Sequence, residues 1–202
     1  MRIKGTSIAS FLGFLEAQYG AARSKEFIGT LDPDLRKRCE GLVLASAFYP
    51  VEELESLVRK ARQHFHGDDT FYERSGAYNA SFGLSGVHKV LLVRPTPLDF
   101  LRAAERSWGQ FIDKGSVAVS LVDEGKVRLR IDGLRGSDVR CARTTGFLSR
   151  SLELVNAVKL VVVKTHCTEK GGAFCEWSLE WDAVLSPQSM TQTMAVRRPI
   201  AI

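Results

Sequence analysis

The sequence lacks the long apolar and basic runs that mark membrane and nucleic-acid-binding proteins. No apolar stretch approaches the ~18 residues of a membrane span, and residues 158–163 are typical of its short apolar segments. The net charge is +5, from 28 Lys and Arg against 23 Asp and Glu, without a basic block. No signal-peptide pattern follows the N-terminus. We expect a cytoplasmic protein with no membrane span and no nucleic-acid partner.

The sequence also lacks the common catalytic motifs. It contains no Gly-x-Ser-x-Gly, no phosphate-binding loop, no Gly-x-Gly-x-x-Gly and no His-Glu-x-x-His. Residues 83–86, Gly-Leu-Ser-Gly, only approximate the first of these and are more typical of a helix end. The sequence therefore favours a non-enzymatic protein.

The composition is that of an ordinary folded domain. Hydrophobic residues make up 45% and charged residues 25% of the 202 residues. No linker or repeat divides the chain. We predict a single domain over residues 1–185 and a C-terminal tail over residues 186–202.

The first half is predicted to be helical. Ile8, Phe11 and Leu15 have helical spacing before Gly20, and Thr96 and Pro97 form a strong helix start. One predicted helix carries Trp108 and Phe111 as far as Gly115. The clearest amphipathic stripe consists of Val51, Leu54, Leu57, Val58, Ala61 and Phe65.

The second half is predicted to form a strand-strand-helix-strand-strand unit. Residues 117–121 and 127–131 alternate as in a hairpin, and residues 139–155 suit a helix. Residues 158–166 and 174–184 suit two further strands. The predicted fold class is therefore α+β, with a helical N-terminal half and a mostly antiparallel sheet.

Three of the four cysteines are predicted to meet. Cys141 lies near the start of the predicted helix, Cys167 ends one strand and Cys175 begins the next. Thiolates at such a point would suit zinc, with Glu169 able to reach from the turn and His166 on the opposite strand face. The alternative is three small buried thiols.

Aromatic residues offer a second candidate site. Trp108, Phe111, Trp177 and Trp181 could line an apolar ligand pocket. The alternative is ordinary core packing, which large aromatic side chains most often provide.

Two segments carry a family resemblance. Residues 141–154, beginning Cys-Ala-Arg-Thr-Thr-Gly, and residues 161–177, ending Gly-Gly-Ala-Phe-Cys-Glu-Trp, resemble the vinyl-reductase-type (4-vinyl reductase) domain. That domain shares a superfamily with Bet3-like subunits and with haem nitric-oxide-binding sensors. Residues 10–20 of this chain resemble the opening segment of those sensors. Over nearly its whole length the chain resembles a myxobacterial paralogous family of unknown function. The resemblance implies a sensing or protein-interaction module, often dimeric.

The resemblance also implies candidate cofactors. In phenol-sensing relatives, zinc is bound by cysteines matching Cys141, Cys167 and Cys175 and by a glutamate whose position here holds Lys164. An ammonium group does not ligate zinc, so the change indicates an empty thiol cluster with Lys164 as a surface or partner contact. The Tyr-x-Ser-x-Arg motif of the haem sensors does not occur, so we transfer the fold and not the haem.

These observations give one leading hypothesis and two alternatives. The leading one is a cytoplasmic signalling or regulatory module that binds a small apolar ligand or a protein partner, as a homodimer. The first alternative is a zinc-binding sensor. The second is an accessory factor in tetrapyrrole reduction, which rests on the family name alone.

Overall fold

The N-terminal part of the protein is helical, as the apolar spacing predicted. The computed structural model describes residues 1–85 and 96–182. Two short strands, β1 (Arg2–Lys4) and β2 (Phe48–Pro50), pair antiparallel beside the helices. The helices are α1 (Thr6–Tyr19), α2 (Ala21–Gly29), α3 (Pro33–Glu40), α4 (Val51–His64), α5 (Phe71–Ser85) and α6 (Pro97–Ser107).

Two local features differ from the sequence expectation. Gly20, with φ of +86°, ends α1, and α2 starts immediately after it. The sequence had predicted no second helix there. Thr96 caps α6 as expected, accepting a 3.1 Å hydrogen bond from the amide of Asp99. However, α6 ends at Ser107, so Trp108 lies in a following 3₁₀ turn and not on the helix.

The C-terminal part has the predicted strand-strand-helix-strand-strand order, and the α+β fold class is confirmed. Its single sheet is antiparallel throughout, in the order β3-β4-β6-β5. A helix between the second and third strands covers one sheet face. The elements are β3 (Ser116–Asp123), β4 (Lys126–Asp132), α7 (Asp138–Leu154), β5 (Val158–His166) and β6 (Cys175–Asp182).

Alternation along the central strands places their apolar side chains towards the helices. On β6, Cys175, Trp177 and Leu179 are buried, and β4 pairs Leu129 with Trp177 and Ile131 with Cys175. A second core lies among the N-terminal helices and is rich in phenylalanine. Helix α7 contributes side chains to both cores, so it joins the two parts.

Helices α5 and α7 cross with their backbones in contact, through one glycine on each. A Cβ atom placed on Gly76 of α5 would clash with the backbone oxygen of Arg143 on α7. A Cβ on Gly146 of α7 would clash with the backbone oxygen of Glu73 on α5. Only glycine permits this approach, which fixes where α7 presents its side chains.

Two further expectations concern a membrane span and the C-terminal tail. In the described part of the chain, no helix has the length and apolarity needed to cross a membrane. The predicted tail, residues 186–202, lies outside the described residues, and the domain boundary at residue 185 stays a prediction.

Candidate functional site

The structure brings the three predicted cysteines together. Cys141 lies in the first turn of α7, Cys167 follows β5 and Cys175 begins β6. Their Sγ atoms all lie within 4.8 Å of one another, and those of Cys141 and Cys167 are 3.9 Å apart. We call these three residues the thiol cluster.

A glycine-containing turn and a close backbone contact shape the thiol cluster. The amide of Gly172 donates a 2.9 Å hydrogen bond to the backbone oxygen of Cys167, which turns the chain back towards Cys175. Gly136 lies over the sulfur atoms, since a Cβ there would be 3.1 Å from the Sγ atoms of Cys167 and Cys175. The Thr168 hydroxyl accepts a hydrogen bond from the Gly136 amide and holds it in place.

Lys164 belongs to this site, which corrects its expected role as a surface or partner contact. Its Nζ donates a 3.1 Å hydrogen bond to the Sγ of Cys167 and lies 5.1 Å from the ring centre of Trp177. Lys164 pairs with Trp177 across the β5–β6 ladder, so its side chain starts on the same sheet face as this buried residue.

Burial and the Lys164 ammonium make the Cys141 and Cys167 thiols electrostatically unequal. Burial raises the pKa of the Cys141 thiol to about 11. Burial also acts to raise the pKa of Cys167, but hydrogen bonds from Lys164 and the Glu169 amide outweigh it and lower the pKa to about 7. Burial disfavours the Lys164 ammonium, yet its contacts with these sulfur atoms raise its pKa overall.

The described residues place no fourth metal ligand beside the thiol cluster. Among the described residues, the group whose donor atoms converge contains only the three cysteines. Glu169, expected to reach from the turn, is not part of it, and His166 is exposed beside Glu176. The three sulfur atoms suit part of a tetrahedral zinc site, but the Lys164 ammonium already supplies a positive charge beside them. Zinc binding stays a prediction.

An apolar cavity of about 240 Å³ lies between the N-terminal helices and the sheet. Its wall includes Leu54 of α4, Phe100 of α6, Leu129 of β4 and Phe147 of α7. Because these residues are far apart in sequence, only the folded chain reveals the cavity. Their amphipathic or alternating patterns had indicated burial but not a shared space.

Three of the four predicted pocket residues line this cavity. Trp108, Phe111 and Trp177 are on its wall. Trp181 is not, because β6 carries it past the cavity to the far part of the sheet core. Cys141 and Cys175 also line the cavity, so it shares two side chains with the thiol cluster.

Arg143 of α7 lines the cavity, and its burial was not expected, because the arginines of this region suit a solvated face. Its side chain is buried, with only 8% of the residue exposed. One guanidinium nitrogen donates a 2.8 Å hydrogen bond to Ser75 Oγ, and the group lies 5.4 Å from the Phe11 ring centre. Burial lowers the pKa of Arg143 to about 10, and Glu55 is the charged group that opposes this shift.

Glu55 is already paired with a different arginine. Its carboxylate contacts Arg140 at 2.6 Å and accepts a 2.9 Å hydrogen bond from Ser137 Oγ. The charged side chains among the described lining residues are thus one carboxylate, Glu55, and three cations, Arg135, Arg140 and Arg143. The cationic side chains of this lining therefore outnumber the carboxylate by two.

Comparison with known proteins shows the fold. No protein-family model and no curated protein sequence matches the chain. Solved structures of H-NOX (haem nitric-oxide-binding) proteins do match. One from Shewanella oneidensis, in an Fe(II)NO state, has a TM-score of 0.72 at 14% identity, covering 89% of this chain and 99% of the other. An unliganded Fe(II) protein from K. algicida gives 0.69 at 14%, covering 91% and 98%. The fold is that of these domains.

Haem iron has few of its usual ligands among the described lining residues. Proteins hold this iron through a histidine, a cysteine thiolate, a tyrosine, or a methionine paired with histidine. The described lining residues include no histidine or tyrosine, and the methionine among them is Met1. The two lining thiols belong to the thiol cluster, where burial keeps Cys141 protonated. His88 lies outside the described residues.

Proposed function

We propose that this protein is a non-enzymatic signalling or regulatory module that binds a small, mainly apolar molecule in its central cavity. The carrying observation is the 240 Å³ cavity walled by apolar side chains from both halves of the chain. A cavity of 150 Å³ is enough to bind benzene, so this one accommodates a somewhat larger molecule. The H-NOX-like fold and the vinyl-reductase-type resemblance of residues 141–177 support a sensing role.

The cavity wall offers a route from binding to a signal. Helix α7 lines the cavity and packs against α5 through Gly76 and Gly146. Cys141 and Cys175 line the cavity and also belong to the thiol cluster. A bound molecule would therefore contact the elements that hold α7, β6 and the cluster together, and displacement of α7 would transmit its presence.

Native mass spectrometry of the purified chain, beside a denatured control, tests this proposal. We expect added mass that is lost on denaturation. The cavity is then located with Ala104→Trp, which fills it from α6, and with Arg102→Trp, which adds the same ring on the exposed side of α6. Ala104→Trp should abolish binding and Arg102→Trp should preserve it. Binding that survives in folded Ala104→Trp contradicts the cavity assignment.

Zinc binding is a second candidate function, favoured by the three Sγ atoms within 4.8 Å. Cys141, Cys167 and Cys175 would supply three ligands, and a fourth would come from outside the converging group. Elemental analysis of protein purified without chelator tests it, with the Cys175→Ser variant as the control. About one zinc per chain, lost in the variant, supports a zinc sensor; a content below about 0.1 contradicts it.

Two further predictions have the sequence as their sole support. They are membership of a myxobacterial paralogous family and an accessory role in tetrapyrrole reduction. The same mass spectrum tests the second of these. A bound tetrapyrrole would add its mass and give the purified protein visible absorption. A colourless protein with no such mass argues against that role.

A homodimer and a cytoplasmic location complete the proposal. Strand β5 is at the sheet edge and leaves Val158, Val161 and Val163 about half exposed, which suits pairing with another chain. Light scattering after size exclusion, on the protein and on Val161→Lys, tests this. We expect a dimer that dissociates in the variant.

A further inference from the structure

Arg143 lines the cavity and carries a buried positive charge. Among the described residues, its guanidinium donates a hydrogen bond to the neutral hydroxyl of Ser75. No carboxylate among the described residues pairs with it. A guanidinium has five N–H donors, and within the described part of the chain one of its nitrogens has a hydrogen-bond partner.

The neighbouring carboxylate is committed elsewhere. Glu55 is held by Arg140 and Ser137, and the Arg140 guanidinium also donates to the backbone oxygen of Arg135. Even so, the Nε of Arg140 is buried without a hydrogen-bond partner. The wall therefore contains a second donor group with unused capacity, beside the cation that lacks an anion.

Such an arrangement is costly in an empty cavity. A buried charge without a partner loses hydration that no other group replaces. A carboxylate that enters beside Arg143 would supply the missing opposite charge and accept hydrogen bonds in the two-pronged geometry that a guanidinium favours.

We propose that the cavity binds a small monocarboxylic acid, with its carboxylate on Arg143 and its apolar body against the sheet-side wall near Leu129 and Trp177. This inference rests on the proposed function, since it names the chemical class of the cavity ligand. The volume of about 240 Å³ suits a body of one aromatic ring or a short alkyl chain. Arg143 is then the residue that selects an acid over a neutral molecule of the same shape.

Three probes with one apolar body test the inference by calorimetric titration of the full chain at neutral pH. They are 3-phenylpropionate, 3-phenylpropanol and propylbenzene. We expect the acid to bind at least about tenfold more tightly than the alcohol, a difference of about 1.4 kcal/mol. In Arg143→Met the acid should lose this advantage while propylbenzene binds as before. Arg128→Met, an exposed arginine on β4, is the matched control and should leave all three affinities unchanged.

The outcomes separate this inference from the proposed function. If propylbenzene binds and the acid has no advantage over the alcohol, the assignment to acids is wrong and the apolar cavity stands. If none of the three binds, both fail. An acid preference that persists in Arg143→Met overturns the role of Arg143. Arg143→Lys keeps the charge without the fork and should give an intermediate acid affinity, which covers the case in which the methionine variant does not fold.

Discussion

Lys164 lies against Trp177 of the sheet-side core and Arg143 against Phe11 of the helical core, and the groups around these two cations differ in charge. Lys164 donates to a sulfur atom 3.1 Å away, and the pKa of its partner Cys167 falls to about 7. Arg143 has a neutral hydroxyl partner, and burial lowers its own pKa to about 10. The thiol cluster thus contains an anion for its cation, whereas the carboxylate on the cavity wall, Glu55, is paired with Arg140 and not with Arg143.

The charges of the thiol cluster balance each other, whereas the Arg143 guanidinium would gain an opposite charge from a ligand. At the thiol cluster, a thiolate and an ammonium stabilise each other, so neither charge requires an outside partner. At the cavity wall, the unpaired guanidinium lowers the stability of the empty protein, and an anionic ligand would recover it.

The largest effect is expected from displacing α7, since it positions both regions. In Gly146→Ala the new Cβ clashes with the Glu73 backbone oxygen, which neither helix can avoid without moving. We expect a loss of about 3 kcal/mol or more in the free energy of unfolding, measured by urea titration. Gly29→Ala is the control: no atom lies within 4 Å of its Cβ, and stability should change by less than about 1 kcal/mol. Equal stability of the two variants would mean that the helix contact is not tight.

The next effect concerns Arg143 in the empty protein. Arg143→Met removes a buried unpaired charge, while Ser75 keeps its hydrogen bond to the Tyr72 backbone oxygen. We expect the ligand-free protein to become more stable by about 1–3 kcal/mol in urea unfolding. Arg128→Met should be neutral, because its guanidinium is exposed. A destabilised Arg143→Met would indicate that the guanidinium is well satisfied in the empty state.

The thiol cluster was predictable from the sequence, whereas the predicted pocket captured only three residues of the cavity wall, Trp108, Phe111 and Trp177. Cys141, Cys167 and Cys175 lie at the ends of elements whose order and antiparallel pairing follow from local patterns. Their convergence is therefore a consequence of one helix and one hairpin. The site that the resemblance assigned to a glutamate holds Lys164, and the sequence alone did not show that its side chain turns inwards to Cys167.

Arg143 had no recognisable sequence signal. It is one of several arginines in or near α7, and helical arginines are ordinarily solvated. Its burial follows from the close approach of α5 and α7, in which Gly76 meets the Arg143 backbone and Gly146 meets the Glu73 backbone, and this is a tertiary feature. Trp181 was predicted to line the pocket because strand alternation places it on the same sheet face as Trp177. Alternation does not give the position of a residue along the cavity, and Trp181 lies beyond it.

A smaller effect is expected when the Lys164 charge is removed. Lys164→Met deletes the donor to Cys167, so the pKa of that thiol should rise from about 7 towards its ordinary value of 9.0. Alkylation of Cys167 by iodoacetamide at pH 7, followed by peptide mass spectrometry in chelator-treated protein, should slow about tenfold. Lys159→Met removes a lysine of the same strand that is paired with Asp182, and the Cys167 rate should not change. An unchanged rate in Lys164→Met would show that another group activates the thiol.

The smallest effect is on the pH dependence of stability. The pKa of Cys167 is lower in the folded chain than its ordinary 9.0, so between pH 7 and 9 the unfolded chain binds more protons and stability should rise with pH. Burial raises the pKa of Cys141 and Cys39 to about 11, so between pH 9 and 11 the folded chain binds more protons and stability should fall. Urea titrations of chelator-treated protein across this range should give a maximum in the free energy of unfolding near pH 9.

The Cys167→Ser variant should lose the increase in stability between pH 7 and 9 and keep the decrease between pH 9 and 11. The rise should stay below about 1 kcal/mol, because solvent screens a partly exposed thiolate.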